Sequence, residues 1–239
     1  MRDNVTILAY HFWADEGYDA AFAKLAHAFE QTWRYCGKLK SVLVVNKVLP
    51  CVTEFADRNQ NLAIQIEEGL KPGDIASMSE DCISRLYTRF DTPYVLIIQS
   101  DGYPLRQGLE EFVGKYDFIG APYVRIKLWR NLLARVLGIR MCNGGFSLRS
   151  RRICKAAADC WFGEKKGQVE AIPAEDIYYT HTLPFHHIGY RFKYRIATNT
   201  EAIRFAYDSL VSQPVKDLPF GFHRDCTLKE LERLLNEKV

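Results

Sequence analysis

Four groups of residues in this 239-residue sequence carry side chains suited to chemistry: Asp101 with Gly102, Asn143-Gly144-Gly145, Glu175-Asp176, and His223. Asp101 stands just past the apolar run Tyr94–Ile98. A carboxylate there can hold a divalent cation against a diphosphate, because Mg²⁺ and Mn²⁺ take oxygen ligands, often one or two protein carboxylates plus substrate phosphates. Ser-Asp-Gly is equally good turn chemistry. Paired glycines in a strand mark a bulge, a bend, or a place where a ligand comes close to the backbone. Glu175-Asp176 follows Pro173 at a helix start, where acids favour the helix electrostatically. One of the two could also be a general base that deprotonates an acceptor hydroxyl. His223, in Pro219-Phe220-Gly221-Phe222-His223, is either a structural histidine or a neutral imidazole ligand for a metal.

The elements that must position these groups follow from hydrophobic periodicity. Val5–Tyr10, Ser41–Val45, Leu62–Ile66 and Tyr94–Ile98 are short apolar runs suited to buried strands. Between them, Ala20–Tyr35 repeats Phe22, Leu25, Ala26, Phe29 and Trp33 on one helical face. Ile75–Phe90 does the same with Ile75, Met78, Cys82, Ile83 and Leu86. Apolar strands alternating with helices predict a mostly parallel central sheet flanked by helices, an α/β fold of Rossmann-like type. Such sheets bind ligands beyond the carboxyl ends of their strands, which directs attention to Gln99–Gly102. The second half has a different texture. Tyr116–Pro122 reads as a strand running into a turn, Cys142–Leu148 as a glycine-broken strand, Arg151–Trp161 as a helix and Pro173–Thr182 as a further helix start. Leu228–Lys238 reads as an amphipathic helix opened by Thr227. No repeat, low-complexity tract or linker divides the chain, so residues 1–239 are read as a single domain.

Composition excludes several classes. A net charge of +3 with pI near 8.4 is too mild to argue nucleic-acid binding. The seven cysteines, without a C-x-x-C pair, fit free thiols in a reducing compartment better than a disulfide framework or zinc site. The start of the sequence lacks a signal-peptide core, and no run approaches the roughly 20 apolar residues that span a bilayer. A cytoplasmic protein is expected, soluble or peripheral on the inner face of the membrane. Val124–Met141 contains Arg125, Lys127, Arg130, Arg135 and Arg140 without an acid, opposite Ile126, Trp129, Leu132, Leu133, Val136 and Leu137. This pattern suits either an interfacial helix on an anionic membrane carrying a lipid-linked acceptor, or a core-packed helix with a solvated basic face.

In order along the chain, IIQSDGYPL (97–105), YDFIGAPY (116–123), NGGFSLRSRR (143–152), AEDIYY (174–179) and PFGFH (219–223) resemble the GT-A glycosyltransferases. The resemblance is strongest to a family of uncharacterised glycosyltransferase-like proteins with Q-x-D, N-G-G-x-S-L-R, E-D and P-F-G-x-H motifs. The G-G-F-S segment followed by an acidic pair also looks like the arrangement in β-1,4-galactosyltransferases. The resemblance implies a single GT-A-type domain, with a nucleotide-sugar half over about 1–105 and an acceptor half over about 106–239 that carries the basic insertion 124–141. It implies transfer of a hexose, with inversion, from a UDP-sugar to a glycan or lipid-linked glycan hydroxyl in surface polysaccharide biosynthesis, with Mn²⁺ or Mg²⁺ as cofactor. Asp101 resembles the last acid of the D-x-D metal motif, and His223 the late histidine that completes the metal site. Asp176, or else Glu175, resembles the base. Tyr10, His11 and Phe12 fall where the nucleoside is held, Arg85 where the diphosphate is met, and Gln99, Ser100, Asn143, Gly144 and Gly145 around donor sugar and acceptor. Gln99 departs from the pattern, since it replaces the first acid of D-x-D and leaves a metal site short of charge.

Two other readings stand beside this one. A nucleotidylyltransferase would carry a glycine-rich phosphate loop and a lysine after the first strand, but the sequence there is His11-Phe12-Trp13-Ala14-Asp15. A non-catalytic nucleotide-sugar or glycan-binding protein derived from a transferase is supported by Gln99.

Overall fold

The computed structural model describes residues 3–122, 141–164, 172–208 and 217–236. Six strands form the central sheet: β1 (Val5–His11), β2 (Ser41–Val45), β3 (Leu62–Ile66), β4 (Tyr94–Ile97), β5 (Phe118–Pro122) and β6 (Cys142–Ser150). Their order is β3-β2-β1-β4-β6-β5. β6 runs antiparallel to both of its neighbours, β4 and β5, and the remaining pairings are parallel. The mostly parallel sheet flanked by helices is the architecture that the apolar runs predict. Both halves of the chain contribute strands to it.

α1 (Tyr18–Cys36) buries Phe22, Leu25, Phe29 and Trp33 on one face. There Trp33 stacks on Phe55 of α2 (Pro50–Asp57), with ring centroids 5.8 Å apart. The Trp33 indole N–H donates to Ser41 Oγ at 2.9 Å, so the polar edge of this ring is satisfied inside the core. α3 (Ile75–Ser84) starts at Asp74, whose side chain accepts from the Ala76 N–H. It is shorter than its periodicity predicts. The chain leaves the helix at Arg85 (φ −129°) and continues as a 3₁₀ turn, Leu86–Thr88. The apolar spacing persists there because Leu86 and Phe90 are still buried.

After β6 come α4 (Arg151–Glu164), the short α5 (Glu175–Ile177), a π-helical turn (Tyr178–Thr182), α6 (Leu183–His186), α7 (Ile188–Lys193) and α8 (Asn199–Phe205). β7 (Ala206–Tyr207) and β8 (Gly221–Phe222) form a small parallel pair. α9 (Asp225–Asn236) begins two residues before Thr227, so Thr227 lies inside the helix and does not open it. Residues 124–140 of the basic segment lie outside the described residues. Among the described residues no helix is long and apolar enough to cross a membrane. None of the seven cysteines is in a disulfide.

A second aromatic core fixes the C-terminal segment against the sheet. Phe146 of β6 stacks on Phe205 at 5.0 Å, and Phe205 meets Phe220 at 5.5 Å. The Leu105 N–H donates to the Phe220 carbonyl at 2.7 Å, which ties the segment after Asp101 to the Pro-Phe-Gly-Phe-His run. Residues 115 positions apart in sequence thereby meet beyond the end of β4.

Candidate active site

The carboxyl ends of β1 and β4, the start of β6 and the start of α5 share one edge of the sheet. At the end of β4 the chain reverses tightly. Gln99 and Gly102 exchange backbone hydrogen bonds at 3.0 and 3.1 Å, which leaves Ser100 and Asp101 at the tip. Gly102 is buried against Phe146 and His223, where a β-carbon would stand 3.1 and 3.2 Å from their atoms. The Asp101 carbonyl accepts from the Arg224 N–H at 2.5 Å.

His223 is buried beside this turn. Its Nδ1 lies 3.1 Å from Asp208 Oδ2 and its Nε2 lies 3.3 Å from Gln99 Oε1. A carboxylate on Nδ1 fixes the imidazole's orientation and tautomer, the arrangement that supports metal-binding histidines. In that tautomer Nε2 is an acceptor facing another acceptor, Gln99 Oε1, so the two present lone pairs without a hydrogen bond between them. The residues present fit a divalent cation that takes part of its shell from phosphate oxygens: His223 Nε2, Gln99 Oε1 and the Asp101 carboxylate would hold it. Among the described residues no three His, Cys, Asp or Glu side chains converge as ligands.

The glycine pair connects this side to the acids. A methyl at Gly145 would collide with His223 Nε2 and Gln99 Oε1. One at Gly144 would collide with Glu175 Oε1, and would meet Arg149 Nη2 and Asp176 Cβ. The absence of side chains here is a packing requirement on both sides. Asn143 caps the bend, its Oδ1 accepting from the Gly145 N–H at 2.8 Å. Gly145→Ala is therefore expected to lower stability by about 1–3 kcal/mol through overpacking and to displace His223 from Gln99. A thermal melt with histidine chemical shifts checks both; an unchanged melt and unchanged shifts would contradict the close approach.

The acidic pair separates into two environments. Glu175 is buried and ion-paired to Arg149, Nη2 to Oε1 at 3.1 Å, while Ser79 Oγ donates to its other oxygen at 3.5 Å. Arg149 is fully buried in β6. It donates to the Gly144 carbonyl at 3.1 Å and to Ser147 Oγ at 3.0 Å, and lies 4.9 and 5.0 Å from the Phe118 and Tyr179 ring centroids. Asp176 is less enclosed and has no ion-pair partner among the described residues; its Oδ1 accepts from the Ile177 N–H at 2.7 Å. Burial, reinforced by the neighbouring Glu175 charge, pushes its carboxyl up to about 6. A carboxylate held near neutrality at a cleft edge suits proton abstraction.

Not every candidate gathers here. Tyr10 points toward α3, where its hydroxyl donates to Asp81 Oδ2 at 2.7 Å, and burial raises its pKa well above the ordinary value. His11 points to the other face and packs in the core, 4.3 Å from the Tyr18 ring centroid. Burial lowers it to about 4, which keeps the imidazole neutral. Phe12 is half-buried and its carbonyl accepts from the Gly73 N–H at 2.8 Å. Arg85 is exposed and pairs with Glu67 at 2.8 Å, and Glu67 also binds Arg89 at 2.6 Å. Arg89 in turn ion-pairs with Asp81. This Tyr10–Asp81–Arg89–Glu67 network and the Asp208 contacts carry no sequence motif. Arg149 closes the N-G-G-x-S-L-R motif, but nothing local in the sequence names Glu175 as its partner. A cavity of about 650 Å³ opens at the opposite edge of the sheet, among Lys40, Asn61, Phe90 and Arg151, and touches none of the four groups.

Residues 73–223 match the model of a family described as "Protein of unknown function (DUF5672)". The chain belongs to the DUF5672 family. The matched region begins at Gly73, just before α3, and ends on His223, so it contains the Asp101 turn, the glycine pair, the acidic pair and Asp208. No curated protein matches the chain in sequence. Among solved structures, the chain is similar to the mannosyltransferase Ktr4p of S. cerevisiae in complex with GDP, with TM-score 0.54 at 7% identity over 75% of this chain and 66% of that one. It is also similar to the apo form of the glycosyltransferase GlyE of Streptococcus pneumoniae TIGR4, with TM-score 0.55 at 11% identity over 93% of this chain and 54% of that one. The DUF5672 chain spans under two thirds of the length of each. At these identities the likeness shows a shared α/β glycosyltransferase fold.

Proposed function

We propose that this DUF5672 protein is a glycosyltransferase that moves a hexose from a nucleoside-diphosphate sugar to a hydroxyl acceptor, with Asp176 as the base. One observation carries the reading. Two consecutive residues, Gly144 and Gly145, are bounded by the acid–base side on one hand and by the Gln99–His223 side on the other. Successive strand positions face opposite sides and their Cα atoms lie about 3.8 Å apart, so β6 is thin where the two sides approach, and a donor bound across this end of the strand would meet both. Asp176 would take the acceptor proton while the diphosphate departs toward the Asp101 turn. Inversion fits this arrangement, because a base opposite the leaving group activates the acceptor for direct displacement. A divalent cation held by His223, Gln99 and Asp101 would neutralise charge on the departing diphosphate. Ktr4p supports a nucleotide donor in this fold, since its structure holds GDP. UDP- and GDP-hexoses are therefore the two donors to compare, and a glycan or lipid-linked glycan is the acceptor class.

The test is a thermal-shift screen of UDP, GDP and their hexose conjugates with and without Mn²⁺. A ligand present at about 100 times its Kd stabilises by about 2.7 kcal/mol, a shift of roughly 5–10 °C for a chain of this size. One nucleoside diphosphate should produce it, and His223→Ala should remove the Mn²⁺-dependent part. No shift with any nucleotide would overturn the reading. A shift without transfer or donor hydrolysis would favour the binding-protein alternative that Gln99 suggests.

A further inference from the structure

Among the described residues Arg224 is the one non-glycine residue with a positive φ, at 81°. L-residues avoid this region for steric reasons, and where it persists away from glycine the surroundings enforce it, often at functional sites. Three contacts enforce it here. The Arg224 N–H donates to the Asp101 carbonyl at 2.5 Å, its own carbonyl accepts from the Thr227 N–H at 2.9 Å, and its Nε lies 3.4 Å from Asp208 Oδ2. The Arg224 side chain is 40% exposed and the Asp208 side chain 2% exposed, so the guanidinium leans on a buried carboxylate while part of it faces outward. Asp208 is also the carboxylate that holds His223.

Glycine or asparagine would sit in this backbone without strain, and neither would bring charge. The other arginines considered for the site are engaged elsewhere. Arg85 pairs with Glu67, Arg89 is committed to Asp81 and Glu67, and Arg149 is fully buried against Glu175. We propose that Arg224 is a donor-binding residue whose guanidinium meets the diphosphate beside the Asp101 turn, the role that sequence resemblance gives to Arg85. The planar guanidinium matches phosphate oxygens in a two-pronged hydrogen bond, and at this position it places positive charge where the leaving group gathers negative charge. It also offsets what Gln99 withholds, since a site with one acid fewer holds a cation less firmly. This assignment rests on the nucleotide-sugar reading.

The experiment compares wild type, Arg224→Gly and Arg224→Lys by calorimetric titration with UDP or GDP, whichever the wild type binds, and with the matching nucleoside. Arg224→Gly should weaken diphosphate binding by about tenfold or more, the loss expected for charged hydrogen bonds, and leave nucleoside affinity within about twofold. Glycine relieves the positive φ but leaves the buried Asp208 carboxylate without this guanidinium, so a melt accompanies each titration to show that the variant is folded. Arg224→Lys keeps a point charge and should fall between the two. Equal diphosphate affinity in wild type and both variants overturns the assignment of Arg224 alone. A wild-type protein that binds no nucleoside diphosphate overturns the donor reading and this proposal together.

Discussion

Asp176→Asn is expected to lower transfer by about 10²–10⁴-fold while leaving nucleoside-diphosphate binding unchanged. Asparagine keeps an oxygen for the Ile177 N–H that Asp176 Oδ1 now accepts, so local geometry should survive the change. What is lost is the capacity to take a proton. The groups that set the protonation of Asp176 are its own burial, the Glu175 carboxylate, Arg149, and the backbone amides of Ile177 and Gly144. The first two raise its pKa and outweigh the rest, which brings it to about 6. Wild-type activity should accordingly fall below about pH 6 as the base becomes protonated, with a slope of one in a logarithmic plot. The stability effect has the opposite sense. A carboxyl whose folded pKa is raised is stabilising below its unfolded value, and loses that contribution as pH climbs through about 6. At pH 8 the charged Asp176 is a net cost to the fold, on the order of 1–2 kcal/mol after allowance for its partial exposure. Asp176→Asn should therefore melt higher than wild type at pH 8 and equal to it near pH 4. Transfer in the variant within threefold of wild type would remove Asp176 from the base role, and calorimetry with pH-dependent melts would show whether its environment had been read correctly.

Arg149→Met should destabilise the protein by about 3–5 kcal/mol, because it leaves the Glu175 carboxylate buried without a counter-charge. The same substitution removes the donors to the Gly144 carbonyl and Ser147 Oγ. Methionine fills much of the volume between Phe118 and Tyr179, so the loss is electrostatic more than steric. Pairing the change with Glu175→Leu should recover part of the stability, since an apolar pair can replace a buried ion pair at little cost. Denaturant titration of the single and double variants measures this coupling. Additive effects of the two substitutions would mean that the ion pair is not the source of the loss.

The first four strands were legible because each is a short apolar run; Ser41–Val45 is buried at every position, whereas Leu62–Ile66, at the edge of the sheet, leaves Ala63 and Ile66 exposed. The end of α3 was not legible, because Leu86 and Phe90 continue the apolar spacing after the backbone has left the helix. The start of α9 was misplaced for a similar reason. Thr227 has the chemistry of a cap, but the turn is set earlier by Arg224, whose conformation depends on Asp101, more than a hundred residues away. Asp101, the glycine pair, the acidic pair and His223 were visible as residue types, and the fold brings them to one edge. The division of labour between Glu175 and Asp176 was not visible. It depends on Arg149, which reaches Glu175 only because β6 is antiparallel and returns past the start of α5. Asp208 had no local signal either, since its role arises from contact with His223 fifteen residues later.

The single strand β6 carries Gly144, Gly145 and Arg149, and it pairs over Ser147–Ser150 with β4 on one side and at Cys142 and Ser147–Arg149 with β5 on the other, with Leu148 opposite both Leu96 and Ile119. Side chains alternate across a strand, so removing or adding one residue within 142–150 would shift every later position to the opposite face. Arg149 would then leave its aromatic slot at the same moment as the glycines lost their alignment with His223. Residues within this strand can be exchanged, but its length cannot drift. Variation in length among relatives is expected to collect in the connections that enter and leave it.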